Sequence, residues 1–324
     1  MHLLRRSLAL LFSLTAVYAA QSLAASYPEK PIHMIVPWSP GGGSDVSGRI
    51  FGAKLSEFLG QQVLIDNRPG AGGNIGTAVA AKGEPDGYTV LLADTGFSTG
   101  ISLYSKPGYH PLKDFAPVSL GATTPIVAVV HPSVPVRNMQ ELIALAKRKP
   151  GEISVGSGGT GGSVHLAAEL FQLQTGTKFV HVPYKGSGPA SVDLVAGQIQ
   201  LMFSTAPPIM GVLKAGRIRA LAVASTSRSS LLPDVPSMKE AGVPNFVATN
   251  WYGVLVPTGT PAAIINRLHQ EMVKVTALPD VRQRLAGAGL EPTASKTPQE
   301  FGAFVKSDVE RWARVIKQAN IKLE

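Results

Sequence analysis

The chain has 324 residues, 44% of them hydrophobic and 16% charged, with a formal net charge of +9 and no cysteine. That length and composition describe a globular chain of about two domains and exclude a disordered one. The missing cysteines exclude disulfides, thiolate catalysis and cysteine-based zinc sites.

The N-terminus reads as an export signal over residues 1–25. Arg5 and Arg6 form a basic start, "SLALLFSLTAVYAA" is apolar but short for a bilayer span, and Ser22-Leu23-Ala24 supplies small residues for cleavage near Ala24 or Ala25. Removing Arg5 and Arg6 with the signal leaves a mature charge of about +7. The remaining basic residues are scattered, with "KRK" at 147–149 the densest run, so no stripe suited to nucleic acid is present. A positive field suits anionic small molecules.

The mature chain alternates strand and helix signals, which predicts an α/β protein. "PIHMIVPW" reads as a buried strand, and the glycine run "SPGGGSD" opens a helix over 45–59 with Phe51, Leu55 and Phe58 on one face. "QQVLIDN" is a second strand, "RPGAGGN" a glycine loop, and a helix starts at Asn74; "YTVLLAD" is the third strand. "PIVAVVHPS" at 125–133 is a strongly apolar strand, followed by a helix over 139–149 with Asn138 as its cap and Glu141 three residues on. A second strand, glycine loop and helix series begins at "EISVGSGGTGGSVHLAAELF", continued by "KFVHVPY", "IQLMFS" and "IRALAVAS". "NWYGVLVP" at 250–257 resembles the 125–133 strand, and only helices are expected after it. One presents Ile265, Leu268, Met272 and Val275; the last presents Phe301, Phe304, Val305, Trp312, Val315 and Ile316. Two similar series joined by two long apolar strands predict two lobes: residues 26–125 with 250–324, and residues 126–249, the C-terminal helices returning to the first lobe.

Several motifs bear on chemistry. Gly156, Gly158 and Gly161 have the spacing of a dinucleotide loop, but the acid that should follow is missing, so no cofactor is expected. The physical content of such a loop survives: free N–H groups and a helix dipole favour a carboxylate or phosphate, with Ser157, Thr160 and Ser163 adding hydroxyls. The first loop lacks the lysine of a nucleotide P-loop. Ser44 there is a plausible cap, and Asp45 sits in the first turn, where it can cap the helix, brace the loop or hold a water. Asp94-Thr95-Gly96 resembles one half of an aspartic-protease site with no second half. Gly96-Phe97-Ser98-Thr99-Gly100 has nucleophile-elbow spacing, but "ISLYSKPG" breaks the helix such an elbow needs. A strand-end loop is the better reading, with Thr95 and Ser98 as donors and Phe97 as an apolar wall. The histidines show no metal spacing, so no metal is expected; His165, one turn into its helix, can touch a ligand or serve the structure. Tyr184, Lys185 and Ser187 follow a strand end, where α/β proteins bind ligands.

Almost end to end, the mature chain resembles the tripartite tricarboxylate transporter substrate-binding proteins, also called Bug receptors. The resemblance is carried by the order of "YPEKPIHMIVPWSPGGGSDVSGRI", "LGQQVLIDNRPGAGGNIGTAVAAKGEPDGYTVLLADTG", "HPLKDFAPVSL", "HPSVPVRNMQELIALAKRKPGEISVGSGGTGGSVHLAAELF", "VHVPYKGSGPA", "GRIRALAVASTSRSSLLPDVPSMKEAG" and "WYGVLVPTGTP". It implies a two-lobed periplasmic-binding-protein fold of type II, a periplasmic location, and a monomer that delivers a small carboxylate to membrane permease subunits without catalysing a reaction. In this family the loops opening the first helix of each lobe hold a carboxylate, partly through water. Carried over, these are Pro40-Gly41-Gly42-Gly43-Ser44-Asp45 and Ser157-Gly158-Gly159-Thr160-Gly161-Gly162-Ser163. Thr95-Gly96 and Tyr184-Lys185 line the same cleft, with Trp38 and Phe97 as its apolar walls and His165 and Ser204 as further contacts. The family commonly has an acid after "LMF", where this chain has Ser204; that departure disfavours an amino-acid ligand. Two other readings stay open: an exported α/β hydrolase using Ser98, and a receptor that signals to a sensor kinase.

Overall fold

The computed structural model describes residues 27–318 and 321, so the export signal expected at 1–25 lies outside the described residues. The apolar run Ile32–Val36 forms β1, buried except at His33. The chain continues through α1 (Gly43–Leu59), β2 (Val63–Asn67), α2 (Asn74–Ala81), β3 (Thr89–Asp94), α3 (Thr95–Leu103) and the long β4 (Phe115–Val130). A second series follows: α4 (Met139–Arg148), β5 (Ser154–Ser157), α5 (Ser163–Thr175), β6 (Val180–Pro183), α6 (Ser187–Val195), β7 (Leu201–Thr205), α7 (Met210–Lys214) and β8 (Arg219–Val223). Then come β9 (Thr249–Pro257), α8 (Ala262–Ala277), α9 (Pro279–Gly287), β10 (Glu291–Pro292) and α10 (Pro298–Gln318). No helix among the described residues is long and apolar enough to cross a membrane.

The strands run in the order β2-β1-β3-β9-β4-β7-β5-β6, with β8 and β10 each paired to β4. β2, β1 and β3 are parallel, as are β6, β5 and β7. Each parallel trio therefore directs its carboxyl ends, and the helices that start there, to one side. β4 serves both halves. Residues 115–125 pair antiparallel with β9, and residues 126–130 pair antiparallel with β7 and β8. One set of cores draws on residues 27–122 and 251–305, including Phe51, Leu92, Tyr252 and Phe301; the other draws on residues 126–248, including Phe171, Phe203 and Phe246. This is the two-lobed periplasmic-binding-protein architecture.

Several local expectations change. β4 begins at Phe115, ten residues before the purely apolar stretch, because its first part, a mix of buried and half-buried positions with two register shifts, pairs with β9. Residues 95–103 are helical rather than looped: Asp94 caps them, its carboxylate accepting from the Gly96 N–H at 2.9 Å. Asn138 caps α4 as expected, while the Glu141 carboxylate reaches the Arg137 N–H instead of the Asn138 N–H. The sequence does not signal α6 and α7, nor β10, a two-residue strand paired with β4 between α9 and α10. In α8 the buried place expected for Ile265 goes to Ile264.

α10 buries Phe301, Val305, Asp308, Trp312 and Ile316 at helical spacing, while Phe304 is 38% exposed and meets Trp251 edge-on. Its first turns pack on the first lobe, where Trp251 Nε1 donates to Asp308 Oδ2 at 2.8 Å. Its far end crosses over: Trp312 and Ile316 share a small core with Leu166 of α5. The helix therefore touches both lobes rather than the first alone.

The Trp251–Asp308 bond ties α10 to β9 in a buried setting. W251F keeps the apolar contact with Phe301 but strips Asp308 of this donor. It should lower unfolding stability by about 1–3 kcal/mol, read as a lower urea midpoint at unchanged slope.

Candidate functional site

The first glycine loop leaves β1 and turns into α1 with Gly42 as a cap that offers no side chain, so the first N–H groups of the helix have no side-chain cap. The loop is braced from behind. Gly41 N–H donates to Asp45 Oδ2 at 3.0 Å, and Arg49 Nε donates to both Asp45 oxygens at 3.0 and 3.1 Å. Arg49 also donates to Asn67 Oδ1 at 3.3 Å, and Asn67 Nδ2 donates to the Trp38 carbonyl at 2.9 Å. Burial by itself raises the Asp45 carboxyl, but the donors from Arg49, Gly41 and Asn67 outweigh it and hold the group below its ordinary range. Both halves of this acid's charge are thus committed to the scaffold. Gly43 has its own constraint: a Cβ there would collide with Tyr252 Oη.

The second glycine loop leaves β5 and enters α5 through Gly162, again without a side-chain cap. Ser157 is fully buried; its Oγ lies 2.6 Å from His181 Nε2 and accepts from Gly159 N–H at 3.2 Å. His165 Nδ1 accepts from Gly161 N–H at 3.1 Å, and its ring stacks on His181 with centroids 4.1 Å apart. Burial, then the neighbouring His181, pushes His165 down to about 3, and burial pushes His181 down to about 4. Both imidazoles are neutral at pH 7, and they shape the loop rather than supply charge.

The two loops meet across the lobes. Ser39 N–H and Oγ donate to the Lys185 carbonyl at 3.1 and 2.8 Å, Thr99 Oγ1 donates to the Gly161 carbonyl at 2.8 Å, and Tyr104 Oη donates to the Thr160 carbonyl at 2.7 Å. Between them lies a cavity of about 30 Å³. The starts of three helices line it: Gly43 and Ser44 of α1, Ser163 and Val164 of α5, and Ser187 of α6. None of these three has a side-chain cap. Trp38, Asp94, Thr205, Asn250 and Tyr252 complete the wall, and no Lys, Arg or His is among the lining residues. The electrostatics of the cavity are therefore those of helix N-termini, positive by their dipoles, plus one acid. Asp94 is buried; Gly96 N–H donates to Oδ1 at 2.9 Å and Ser44 Oγ to Oδ2 at 3.2 Å. Burial raises its carboxyl to about 6 against the pull of these donors and of Trp38 and Asn250. A recess of about 240 Å³ adjoins the cavity, sharing Trp38 and Gly158 and lined further by Tyr104, Thr160, Tyr184 and Lys185.

Of the expected site residues, Trp38, Gly42, Ser44, Gly158 and Ser163 line the cavity, and Thr160, Tyr184 and Lys185 line the recess. The others lie elsewhere. Gly41 and Asp45 form the brace, and the Pro40 carbonyl backs onto Gly188, where a Cβ would come within 2.6 Å of it. Gly96 supports the Trp38 ring, and Thr95 donates its N–H to Asn250 Oδ1 at 3.1 Å. Phe97 turns into the first core, stacked on Tyr109 with centroids 5.6 Å apart, so it is no cleft wall. Ser98 is fully buried in α3 and is no cleft donor. Ser157, Gly161 and His165 set the shape of the second loop. Ser204 is buried and donates to the Thr205 carbonyl at 2.8 Å; the cavity face of β7 is taken by Thr205, as strand alternation requires. The acid missing at 204 therefore does not leave the cavity without one. The sequence reading missed Asp94, Asn250, Tyr252, Thr205 and the latch residues Thr99 and Tyr104. Asp94 carried a usable signal, an acid closing a strand just before a helix start. Asn250 and Tyr252 come from the crossover strand β9, Thr205 from the end of β7, and Thr99 and Tyr104 from α3 and the residue after it.

The Asp45 brace makes a testable claim on stability. D45A should lose about 1–2 kcal/mol at pH 7 through its charge-assisted bonds. Because the folded pKa is depressed, this advantage of the wild type is present above the ordinary aspartate value near 3.9 and should fade as pH falls through the folded value. Urea melts of both proteins along a pH series would check this.

The chain is similar to known proteins over most of its length. The family model described as "Tripartite tricarboxylate transporter family receptor" matches residues 48–321. Protein BugT of Bordetella pertussis (strain Tohama I) is 39% identical over 316 residues, covering 97% of each chain. A solved R. palustris protein with adipate is 35% identical with a TM-score of 0.88, covering 91% of this chain and 99% of that one. MatC from Rhodopseudomonas palustris with bound malate is 28% identical with a TM-score of 0.86, covering 90% of this chain and 100% of that one. The chain therefore belongs to the tripartite tricarboxylate transporter family receptors, the solute-binding proteins that include the Bug proteins.

Proposed function

We propose that the protein is a monomeric periplasmic receptor that captures a small carboxylate between its lobes and hands it to the membrane subunits of a tripartite tricarboxylate transporter, with no chemistry of its own. The lobes are residues 26–125 with 250–324, and residues 126–249. One observation carries this reading: three helix N-termini without side-chain caps open on one cavity that has no basic side chain. Such groups favour an anion, each helix end contributing about 0.3–1 kcal/mol and more when partly buried. Charge-assisted N–H bonds offset the cost of desolvating the carboxylate. The adipate and malate bound by the two R. palustris relatives support an acid of this class.

The volumes suggest how the ligand lies. A cavity of about 30 Å³ has room for a water-sized group or two, so it takes the carboxylate end. The body of the acid runs past Trp38 toward the recess at Tyr184 and Lys185. The residues that hold it are Trp38, Gly42, Ser44, Gly158 and Ser163 in the cavity, and Thr160, Tyr184 and Lys185 outside. Pairing across the lobes by Ser39, Thr99 and Tyr104 favours the closed form that a bound ligand requires.

Ser157 is too deeply buried to serve as a probe of the site, whereas Ser163 opens on the cavity. S163D places a tethered carboxylate in the first turn of α5, where it favours the helix and occupies the ligand's place. Wild-type protein should show a thermal shift with at least one of malate, adipate, citrate and benzoate. In S163D that binding should weaken by about 100-fold or more by calorimetry, the equivalent of two charge-assisted bonds. The melting temperature of the protein alone should stay within a few degrees of wild type. Undiminished binding would remove Ser163 from the site, and a wild type silent to all four acids would count against a carboxylate ligand.

A further inference from the structure

Asp94 is the one acid among the residues that line the inner cavity, and no basic side chain there offsets it. It stands next to the groups suited to an anion. Ser44 lies in the first turn of α1, and its Oγ donates to Asp94 Oδ2 at 3.2 Å. A carboxylate resting on the first N–H groups of α1 is therefore a near neighbour of a second carboxylate, a repulsive arrangement in a desolvated space. A donor between them reverses the sign, because an O–H or N–H pointing from the ligand to Asp94 makes a charge-assisted bond. Asp94 has acceptor capacity for it. Its oxygens offer about four lone-pair positions; Gly96 and Ser44 occupy one on each, and of the two further donors beside it, Trp38 and Asn250, Trp38 Nε1 completes no hydrogen bond.

Resting on the carboxylate-receptor reading above, we propose that Asp94 is a specificity-determining residue that selects acids carrying a hydrogen-bond donor, a hydroxyl or an ammonium, on the carbon beside the bound carboxylate. An unsubstituted acid of the same skeleton leaves Asp94 facing its carboxylate with nothing between. A site built to bond a ligand hydroxyl discriminates against the analogue that lacks it, because its own buried group is then left unpaired. Burial raises the Asp94 carboxyl to about 6, so it is mostly ionised at pH 7.5 and acts as an acceptor there. The titratable groups packed around it do not exchange a proton with it. Tyr252 of β9 and Tyr109 of the segment after α3 are held protonated by burial and by Asp94 itself. Asp45 of α1 is engaged by Arg49. Below about pH 6 Asp94 gains a proton, can donate in turn, and loses its preference.

Three matched pairs test the assignment by calorimetry at pH 7.5: succinate against 2-hydroxysuccinate, phenylacetate against mandelate, and glutarate against glutamate. In any pair that binds, the donor-bearing member should be tighter by about 10-fold or more, and the ratio should shrink at pH 5. D94N removes the charge and should collapse the ratio, mainly by strengthening the plain member. D94S, which retains a capping side chain for α3, serves the same purpose if D94N does not fold. Equal or tighter binding of the plain member, or an unchanged ratio in a folded Asp94 variant, overturns the assignment and leaves the carboxylate reading standing. Binding of none of the six by wild type tells against the carboxylate reading itself, and the Asp94 assignment falls with it.

Discussion

The indole of Trp38 lies where the two lobes meet, and glycines surround it. A Cβ at Gly73 or Gly96 on one side, or at Gly159 or Gly162 on the other, would stand between 2.9 and 3.5 Å from its ring. At Gly73, Gly96 and Gly162 a side chain would crowd the ring, whereas at Gly159 a Cβ would make ordinary contact with it. Their backbones then come close enough for Thr99, Tyr104 and Ser39 to bond carbonyls of the opposite lobe. Gly162 of the second loop is thus explained by the wedge and Gly43 of the first by Tyr252, rather than by contact with a ligand. The same wedge divides the enclosed cavity from the outer recess.

Charge is arranged around this wedge by exclusion. Arg49 is near the first loop but is held by Asp45 and Asn67 behind it, and the two histidines near the second loop are kept neutral by burial. What remains facing the cavity is the backbone of three helix starts and the Asp94 carboxylate. An anion held by N–H groups instead of by lysine or arginine sits in a rigid field that needs no side-chain ordering on binding. Such a site depends on position: small movements of a lobe carry one helix end away from the anion. The crossover strands β4 and β9, and α10 spanning from Asp308 to its contact with Leu166, hold the lobes in register.

The two loops were legible because each sits where a buried strand changes into a helix, and a run of glycine there leaves N–H groups free. Ser44, Gly158 and Ser163, expected on that basis, line the cavity, as does Trp38, expected as an apolar wall. Asp45 was visible too, but its partner Arg49 one turn on and the bond to Gly41 turn it from a ligand contact into a brace. Phe97 failed for a related reason. Local sequence did not show that Asp94 caps a helix through residues 95–103, and the helical turn carries the ring into the core. Ser204 and Thr205 differ by one position on a strand, and the pleat alone decides which of them faces the cavity.

By itself the sequence determined the alternation of strands and helices, the two glycine loops and the kinship with a receptor family, because these rest on local periodicity, chain punctuation and the order of motifs. Only the tertiary structure decided which side chains share the cavity. Asp94, Asn250 and Tyr252 come from β3 and the distant β9, brought together by antiparallel pairing that sets Asp94 opposite Tyr252. It also decided the ionisation of Asp94, His165 and His181, since burial, not residue type, sets those values.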